Sequence, residues 1–266
     1  MTTFDSVLIV GCGNMAGAML QGWLAAGFDP ARFTVVDPAD PELPPEVRSL
    51  PAMPEGERFD AILLGVKPQL LGEVAPQVEP VAGSDTVVIS ILAGAELEVL
   101  AKHFPRAGGI LRVMPNLAAA LGKSPMALAG SGLDEGARKA ATQLLAPLGT
   151  PEWIAEEEFH LVTALAGSGP AFVYRFIDAL AAAASDLGLA TDQAGRLAVA
   201  TVEGASALAA MSPHDPGELA RRVASPGGTT QAGLDALDEG EALRKLLEKT
   251  LRAARDRSAE MAEEAR

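Results

Sequence analysis

The apolar positions divide the chain into two halves with different rhythms. In the first half, short and nearly continuous apolar runs recur at 6–10 (SVLIV), 33–36 (FTVV), 61–66 (AILLGV), 86–91 (TVVISI) and 109–113 (GILRV). They lack the alternation of a strand with one wet face. They therefore predict strands covered on both faces, as in a parallel sheet. A further short run at 126–129 offers one more strand. Helical spacing fills the gaps at 14–26, 68–78, 96–102 and 134–145. Strands alternating with helices predict a doubly wound α/β domain. The stretch Pro38 to Pro54 carries proline at 38, 41, 44, 45, 51 and 54, which excludes a long helix there. A loop with at most one short helical turn is expected.

From about Glu156 the pattern turns helical throughout, and the chain divides into an expected first domain, 1–155, and second domain, 156–266. Ala194, Leu197, Ala198, Thr201, Val202, Ala205, Leu208 and Ala209 share one helical face. Asp215-Pro216-Gly217-Glu218 reads as a helix start with an Asp cap, a first-turn proline and a reciprocal Glu. The last helix sets Leu243, Leu246, Leu247, Thr250, Leu251 and Ala254 on one face, with Glu241–Lys245 and Glu248–Arg252 as i,i+4 pairs on the other. The segment Phe172 to Ala184 is apolar almost all round, so it must be covered on every side. A second subunit, in an interleaved homodimer, is expected to supply that cover; packing against the first domain is the alternative.

Composition narrows the function. Of 266 residues, 48% are apolar and only 4% aromatic, so the core packs through Ala, Val, Leu and Gly. Twenty-one basic residues against 35 acidic ones give a net charge of -14, which argues against nucleic acid and anionic membranes as partners. One cysteine excludes an intrachain disulfide, and three scattered histidines make a metal site unexpected. The first ten residues have neither a basic region nor a long apolar stretch, so no signal peptide is expected. Gly167, Pro170, Arg175, Asp178 and Asp186 interrupt the most apolar segment, so it is not read as a membrane span. A cytoplasmic location is the expectation.

Chemistry enters at Gly11-Cys12-Gly13-Asn14-Met15-Ala16, which follows the first strand and opens a helix. This is the GxGxxA form of the dinucleotide fingerprint. Gly11 permits the tight turn, Gly13 lets a pyrophosphate approach the backbone, and Ala16 lets helix and sheet pack closely. The next strand ends at Asp37, placed to hydrogen-bond a ribose 2′-hydroxyl and to repel a 2′-phosphate; a plain strand-end turn is the alternative. Cys12 reads as a spacer. Ligands bind outside the carboxyl ends of such strands, so Val66-Lys67-Pro68, Ala93-Gly94 and Asn116 are expected to line one cleft. Lys67 suits the ribose or substrate, or is an ordinary surface lysine. Asn116 suits a nicotinamide carboxamide, or closes an Asx turn after Pro115. In the helical half, Ser225-Pro226-Gly227-Gly228-Thr229-Thr230 precedes a helical segment, and its N–H and hydroxyl groups suit a carboxylate as well as they suit a cap.

Together these residues resemble the pyrroline-5-carboxylate reductase family. The pieces VLIVGCGNMAGAML, ILLGVKP, VVISILAG, RVMPN, LAGSGPAFVYRFIDAL and VASPGGTTQAGL occur in the family's order and cover nearly the whole chain. The resemblance implies reduction of 1-pyrroline-5-carboxylate to L-proline with NADPH or NADH. It implies a Rossmann-like first domain and an all-helical dimerisation domain, often in rings of dimers. It assigns Gly11 to Ala16 to the pyrophosphate and Val66, Lys67, Pro68, Ala93, Gly94 and Asn116 to the nicotinamide side. It assigns Ser225, Gly227, Gly228, Thr229 and Thr230 to the substrate carboxylate, with Thr230 also matching the threonine placed at the ring nitrogen.

Three positions depart from the family's pattern. Leu117-Ala118 stands where Thr-Pro is usual, the Pro-rich stretch replaces a longer helix-containing one, and Asp37 replaces a small or amide residue near the 2′-phosphate. A β-hydroxyacid-type dehydrogenase would keep a lysine in the helix at 172–184, which has none. A short-chain dehydrogenase would follow Tyr174 with lysine four residues on, where Asp178 stands. A non-catalytic dinucleotide-binding paralogue would have no need of the SPGGTT loop.

Overall fold

The computed structural model describes residues 3–264. Among them the first part of the chain builds one eight-stranded sheet. The strands are β1 (Val7–Val10), β2 (Phe33–Val36), β3 (Arg48–Leu50), β4 (Ala61–Leu64), β5 (Val87–Ser90), β6 (Gly109–Met114), β7 (Ser124–Ser131) and β8 (Gly149–Trp153), in the spatial order β3-β2-β1-β4-β5-β6-β7-β8. The first six are parallel, in the strand order of a dinucleotide-binding sheet. β7 runs antiparallel to β6, and β8 runs parallel to β7.

Two strands depart from the expectation. β3 lies inside the Pro-rich stretch that reads as a loop, and β8 carries Pro151. Both are sheet edges, where one side of the backbone needs no ladder partner and proline is tolerated nearby.

Alternate residues of each strand feed opposite faces. Val7 and Ile9 of β1 join Phe33, Val35, Leu63, Ile89 and Leu111 on one side. Leu8 and Val10 join Val36, Ile62, Leu64, Val88 and Ile110 on the other. Helix α1 (Asn14–Ala25) covers the first face through Met19, Leu20 and Trp23. On the second face lie α2 (Leu71–Val78) and α3 (Leu97–His103), while α4 (Glu135–Leu145) returns to the first. Trp23 Nε1 donates to the Leu144 carbonyl at 2.7 Å, tying α1 to α4 across that face. Burial on both sides explains why these strands are continuous apolar runs.

Beyond β8 the described chain is helical: α5 (Phe159–Val162), a π turn at Thr163–Gly167, α6 (Gly169–Asp186), α7 (Thr191–Met211), α8 (Pro216–Val223), α9 (Thr229–Asp238) and α10 (Ala242–Glu264). Two compact units result. One runs to Ser168 and takes in the chain from Ala253 on, and the other is Gly169–Arg252. No residue of α6 is buried, and only Ala194 and Ala198 of α7 are. At α8, Asp215 Oδ1 accepts the Glu218 N–H at 2.9 Å, as the sequence predicts. Glu218 does not reach back to complete the box; its carboxylate pairs with Arg221 and Arg222, both at 2.9 Å.

Candidate functional site

The first unit brings the fingerprint and three strand ends together. β1 gives way to Gly11, whose φ of +82° is open to glycine at little cost. A Cβ there would lie 2.7 Å from Val66 Cγ1, so Gly11 also permits the β1 and β4 ends to close on each other. Gly65, which the sequence reading passed over, serves the same contact from the other side; a Cβ on it would collide with the Gly11 carbonyl and with Ala16. Its signal was present in the glycine that ends the run AILLG. Gly13 is different: nothing lies within 4 Å of its Cβ position, so backbone is open to solvent where a pyrophosphate would approach. Gly13 is the N-cap of α1 and supplies no side-chain cap, and no acidic residue occupies the helix's first turn. The helix therefore presents uncapped N–H groups and an unopposed dipole to an anion. Asn14 is exposed beside it, Met15 is half-buried, and Ala16 is buried beneath.

Asp37 closes the far end. Its Oδ2 accepts the Cys12 N–H at 2.7 Å and its Oδ1 accepts the Ala39 N–H at 2.8 Å. The carboxylate thus fixes the glycine-rich loop to the end of β2, and each oxygen retains capacity for a further donor. Cys12 is buried, and burial, with the Asp37 charge adding to it, pushes its thiol up to about 11. A buried thiol raised this far is largely un-ionised at neutral pH.

Gly11, Gly13, Asp37, Val66 and Lys67 line a single cleft of about 520 Å³, with Val10, Pro38 and Ala39 from the β1 and β2 ends. Pro51, Ala52 and Met53, which follow β3, join them. The sequence reading missed these three because β3 itself is hidden among prolines. Lys67 is exposed and makes no ion pair or hydrogen bond through its side chain among the described residues. The shape and the donor set fit a dinucleotide: an open Gly13, a free helix start and an acid at the β2 end.

Not every expected residue shares that cleft. Pro68 and Ala93 line a second cavity, also about 520 Å³, with His103, Arg257, Met261 and Glu264. Gly94 backs onto α10, whose Met261 carbonyl lies 3.1 Å from its Cβ position. Asn116 is buried, and its side chain is engaged. Oδ1 accepts the Ala118 N–H and Nδ2 donates to the Ala166 carbonyl, each at 2.9 Å. The Asx turn is therefore formed, and only one Nδ2 hydrogen remains for another acceptor. Ala166 belongs to the π turn, a helix irregularity frequent at functional sites.

In the second unit, α9 begins at Thr229, two residues earlier than the sequence suggested. Its N-cap, Gly228, has no side chain to cap with. Gly227 holds φ at +71°, and the Gly228 N–H donates to the Ser225 carbonyl at 2.9 Å in a tight turn. A Cβ on Gly228 would meet Ser225 Oγ at 2.5 Å. Ser225, Thr229 and Thr230 are exposed. The N–H groups of the first helical turn and two threonine hydroxyls thus face outward, a donor set for a carboxylate.

Comparison with known proteins places this geometry. The family model described as pyrroline-5-carboxylate reductase dimerisation matches residues 156–261. One described as NADP oxidoreductase, coenzyme F420-dependent, matches residues 6–94. Pyrroline-5-carboxylate reductase 2 of Bacillus subtilis (strain 168) is 36% identical over 269 residues, covering 96% of this chain and 94% of the other. The solved structure of a pyrroline-5-carboxylate reductase from Coxiella burnetii matches with a TM-score of 0.89 at 28% identity, over 98% of this chain and 99% of that one. A Plasmodium falciparum pyrroline carboxylate reductase, solved with NADP bound, shares the fold at 24% identity and a TM-score of 0.83, over 98% of this chain and 99% of that one. Because the likeness runs unbroken through both the fingerprint sheet and the helical half, the chain belongs to the pyrroline-5-carboxylate reductase family.

Proposed function

We propose that the chain reduces 1-pyrroline-5-carboxylate to L-proline with a reduced nicotinamide dinucleotide, the last step of proline biosynthesis. The observation that carries this reading is the cleft bounded by Gly11, Gly13, Asp37, Val66 and Lys67, on a chain related to these reductases over its length. Residues 1–155 bind the dinucleotide, and residues 156–266 bind the substrate and dimerise. Gly11, Cys12, Gly13, Asn14, Met15 and Ala16 hold the pyrophosphate, and Asp37 holds the ribose. Val66 and Lys67 of that cleft, and Pro68, Ala93, Gly94 and Asn116 of the strand ends outside it, border the nicotinamide. When bound, the reduced nicotinamide supplies a hydride to the carbon of the substrate's C=N bond, while the ring nitrogen gains a proton.

No covalent nucleophile is needed, so the protein's task is placement and electrostatics. The N–H groups at the start of α9 and the hydroxyls of Ser225 and Thr229 hold the carboxylate, with Gly227 and Gly228 shaping the turn that exposes them. Thr230 Oγ1 hydrogen-bonds the ring nitrogen and orients the proton it receives. The working unit is a homodimer, able to assemble into a ring of dimers. The exposed apolar side chains of α6 support that assembly. We place the enzyme in the cytoplasm, in keeping with its single cysteine and its net charge of -14.

The experiment is a Thr230→Ala variant assayed for pyrroline-dependent NADH and NADPH oxidation. Turnover falls about a hundredfold, within the range for a positioned proton donor, while dinucleotide affinity and helical content stay unchanged. Alanine is a good helix former at this exposed site, so the fold is kept. Wild-type turnover in the variant would remove Thr230 from the mechanism.

A further inference from the structure

We propose that this chain selects NADH over NADPH, through Asp37 and through the lack of an ion-pairing cation beside it among the described residues; the inference rests on the dinucleotide reading above. The Asp37 carboxylate is held on both oxygens, by the Cys12 N–H at 2.7 Å and the Ala39 N–H at 2.8 Å. It cannot swing out of the cleft without abandoning two backbone donors. Held there, it has lone pairs left for a ribose 2′-hydroxyl, which can donate. A 2′-phosphate carries only charge of the same sign and acceptors.

A neighbouring cation could rescue the phosphate, and the topology limits where one could stand. β3 is the edge strand beside β2, so the segments following β2 and β3 flank this end together with the glycine-rich loop, and the α2 residues that line the cleft, Glu73, Val74 and Gln77, bring no cation. After β2 come Pro38, Ala39, Asp40, Pro41 and Glu42, which add two more acids and no base. After β3 come Pro51, Ala52 and Met53, which line the cleft with no charge at all. Arg48 sits at the opposite end of β3, in register with Thr34 at the start of β2. Its guanidinium is also engaged by Glu57 through two hydrogen bonds, at 2.6 and 2.7 Å. Lys67 is the one cation among the described residues lining the cleft. It follows β4, which is separated from β2 by β1. At about 4.8 Å per strand the two strand axes are offset by roughly 10 Å, and among the described residues Lys67 makes no ion pair with Asp37. The 2′ end of the cleft is therefore acidic and apolar, and like charges meet there if a phosphate enters.

The test titrates the full chain with NADH and with NADPH in the absence of the imine, following dinucleotide fluorescence, with melting-temperature shifts as a second readout. NADPH is expected to bind wild type at least about tenfold more weakly than NADH. Asp37→Asn keeps an acceptor for Cys12 and removes the charge, and brings the two affinities toward equality. Ala39→Arg, at an exposed position, leaves Asp37 intact and strengthens NADPH alone. Equal or tighter NADPH binding by wild type would overturn the inference while leaving the reductase reading intact, as would an affinity ratio unmoved by Asp37→Asn. Binding of neither dinucleotide would bring down the cofactor reading itself, and this inference with it.

Discussion

Gly11 and Cys12 show how closely the nucleotide loop is specified by individual residues. With φ at +82° and Val66 Cγ1 2.7 Å from its Cβ position, Gly11 tolerates no side chain. Gly11→Ala is expected to cost about 1–2 kcal/mol from the left-handed backbone alone and to reduce dinucleotide affinity severalfold, measurable by denaturant titration and by NADH fluorescence. Cys12 gives a pH prediction. Its thiol is raised to about 11, so thiolate is scarce throughout the neutral range and grows only as pH approaches that value. Alkylation by iodoacetamide in the folded protein should be far slower than for a model thiol at pH 8 and should become comparable on unfolding. Rapid labelling of the folded protein would contradict the burial described. The geometry of this loop was readable beforehand, because GxGxxA between an apolar strand and a helix asks for a left-handed Gly11, an open Gly13 and a small residue at Ala16. The bond from Cys12 N–H to Asp37 and the bond from Asn116 to the Ala166 carbonyl were not, since both depend on backbone partners brought in by the fold, whereas the local turns at both residues were open to view.

At the scale of elements, a half-buried ion pair within the first unit ties the sheet to α3 and to the chain entering α5. Arg112 of β6 is 2% exposed, donates to Glu156 at 2.6 Å and stacks over Phe159 at 3.9 Å. Glu156 also accepts the Leu97 N–H at 2.7 Å, so one carboxylate joins β6, α3 and the chain entering α5. Glu156→Gln retains the shape and leaves the Arg112 charge without its counter-ion. Because the Glu156 side chain is 32% exposed, part of the loss is screened, and about 1–3 kcal/mol of destabilisation is expected in a urea titration. No loss of stability would mean that the pair is not needed to hold β6 to the helices. Arg112 is the one charged residue in the run GILRV, and its partner lies 44 residues away, so sequence pattern could not pair them. The doubly wound order of strands and helices was legible because buried parallel strands write continuous apolar runs. β3 and β8 were not: short edge strands need few apolar residues and accept prolines beside or within them.

For the whole molecule, the apolar helix α6 is the feature that a single chain leaves unsatisfied. Val173, Tyr174 and Phe176 are 45%, 68% and 48% exposed. Exposed apolar side chains on a helix within a matched dimerisation model are what the proposed homodimer would cover. Light scattering is expected to give at least twice the chain mass, and Phe176→Glu to shift the protein toward monomer while preserving the sheet. The sequence pointed to this helix, because a segment apolar almost all round needs cover, from a second subunit or from the first domain. The most direct measurement is steady-state oxidation of NADH by the purified protein on addition of 1-pyrroline-5-carboxylate, with proline identified as product. Catalytic turnover with stoichiometric L-proline is the predicted result; tight NADH binding with no imine-dependent oxidation would contradict it.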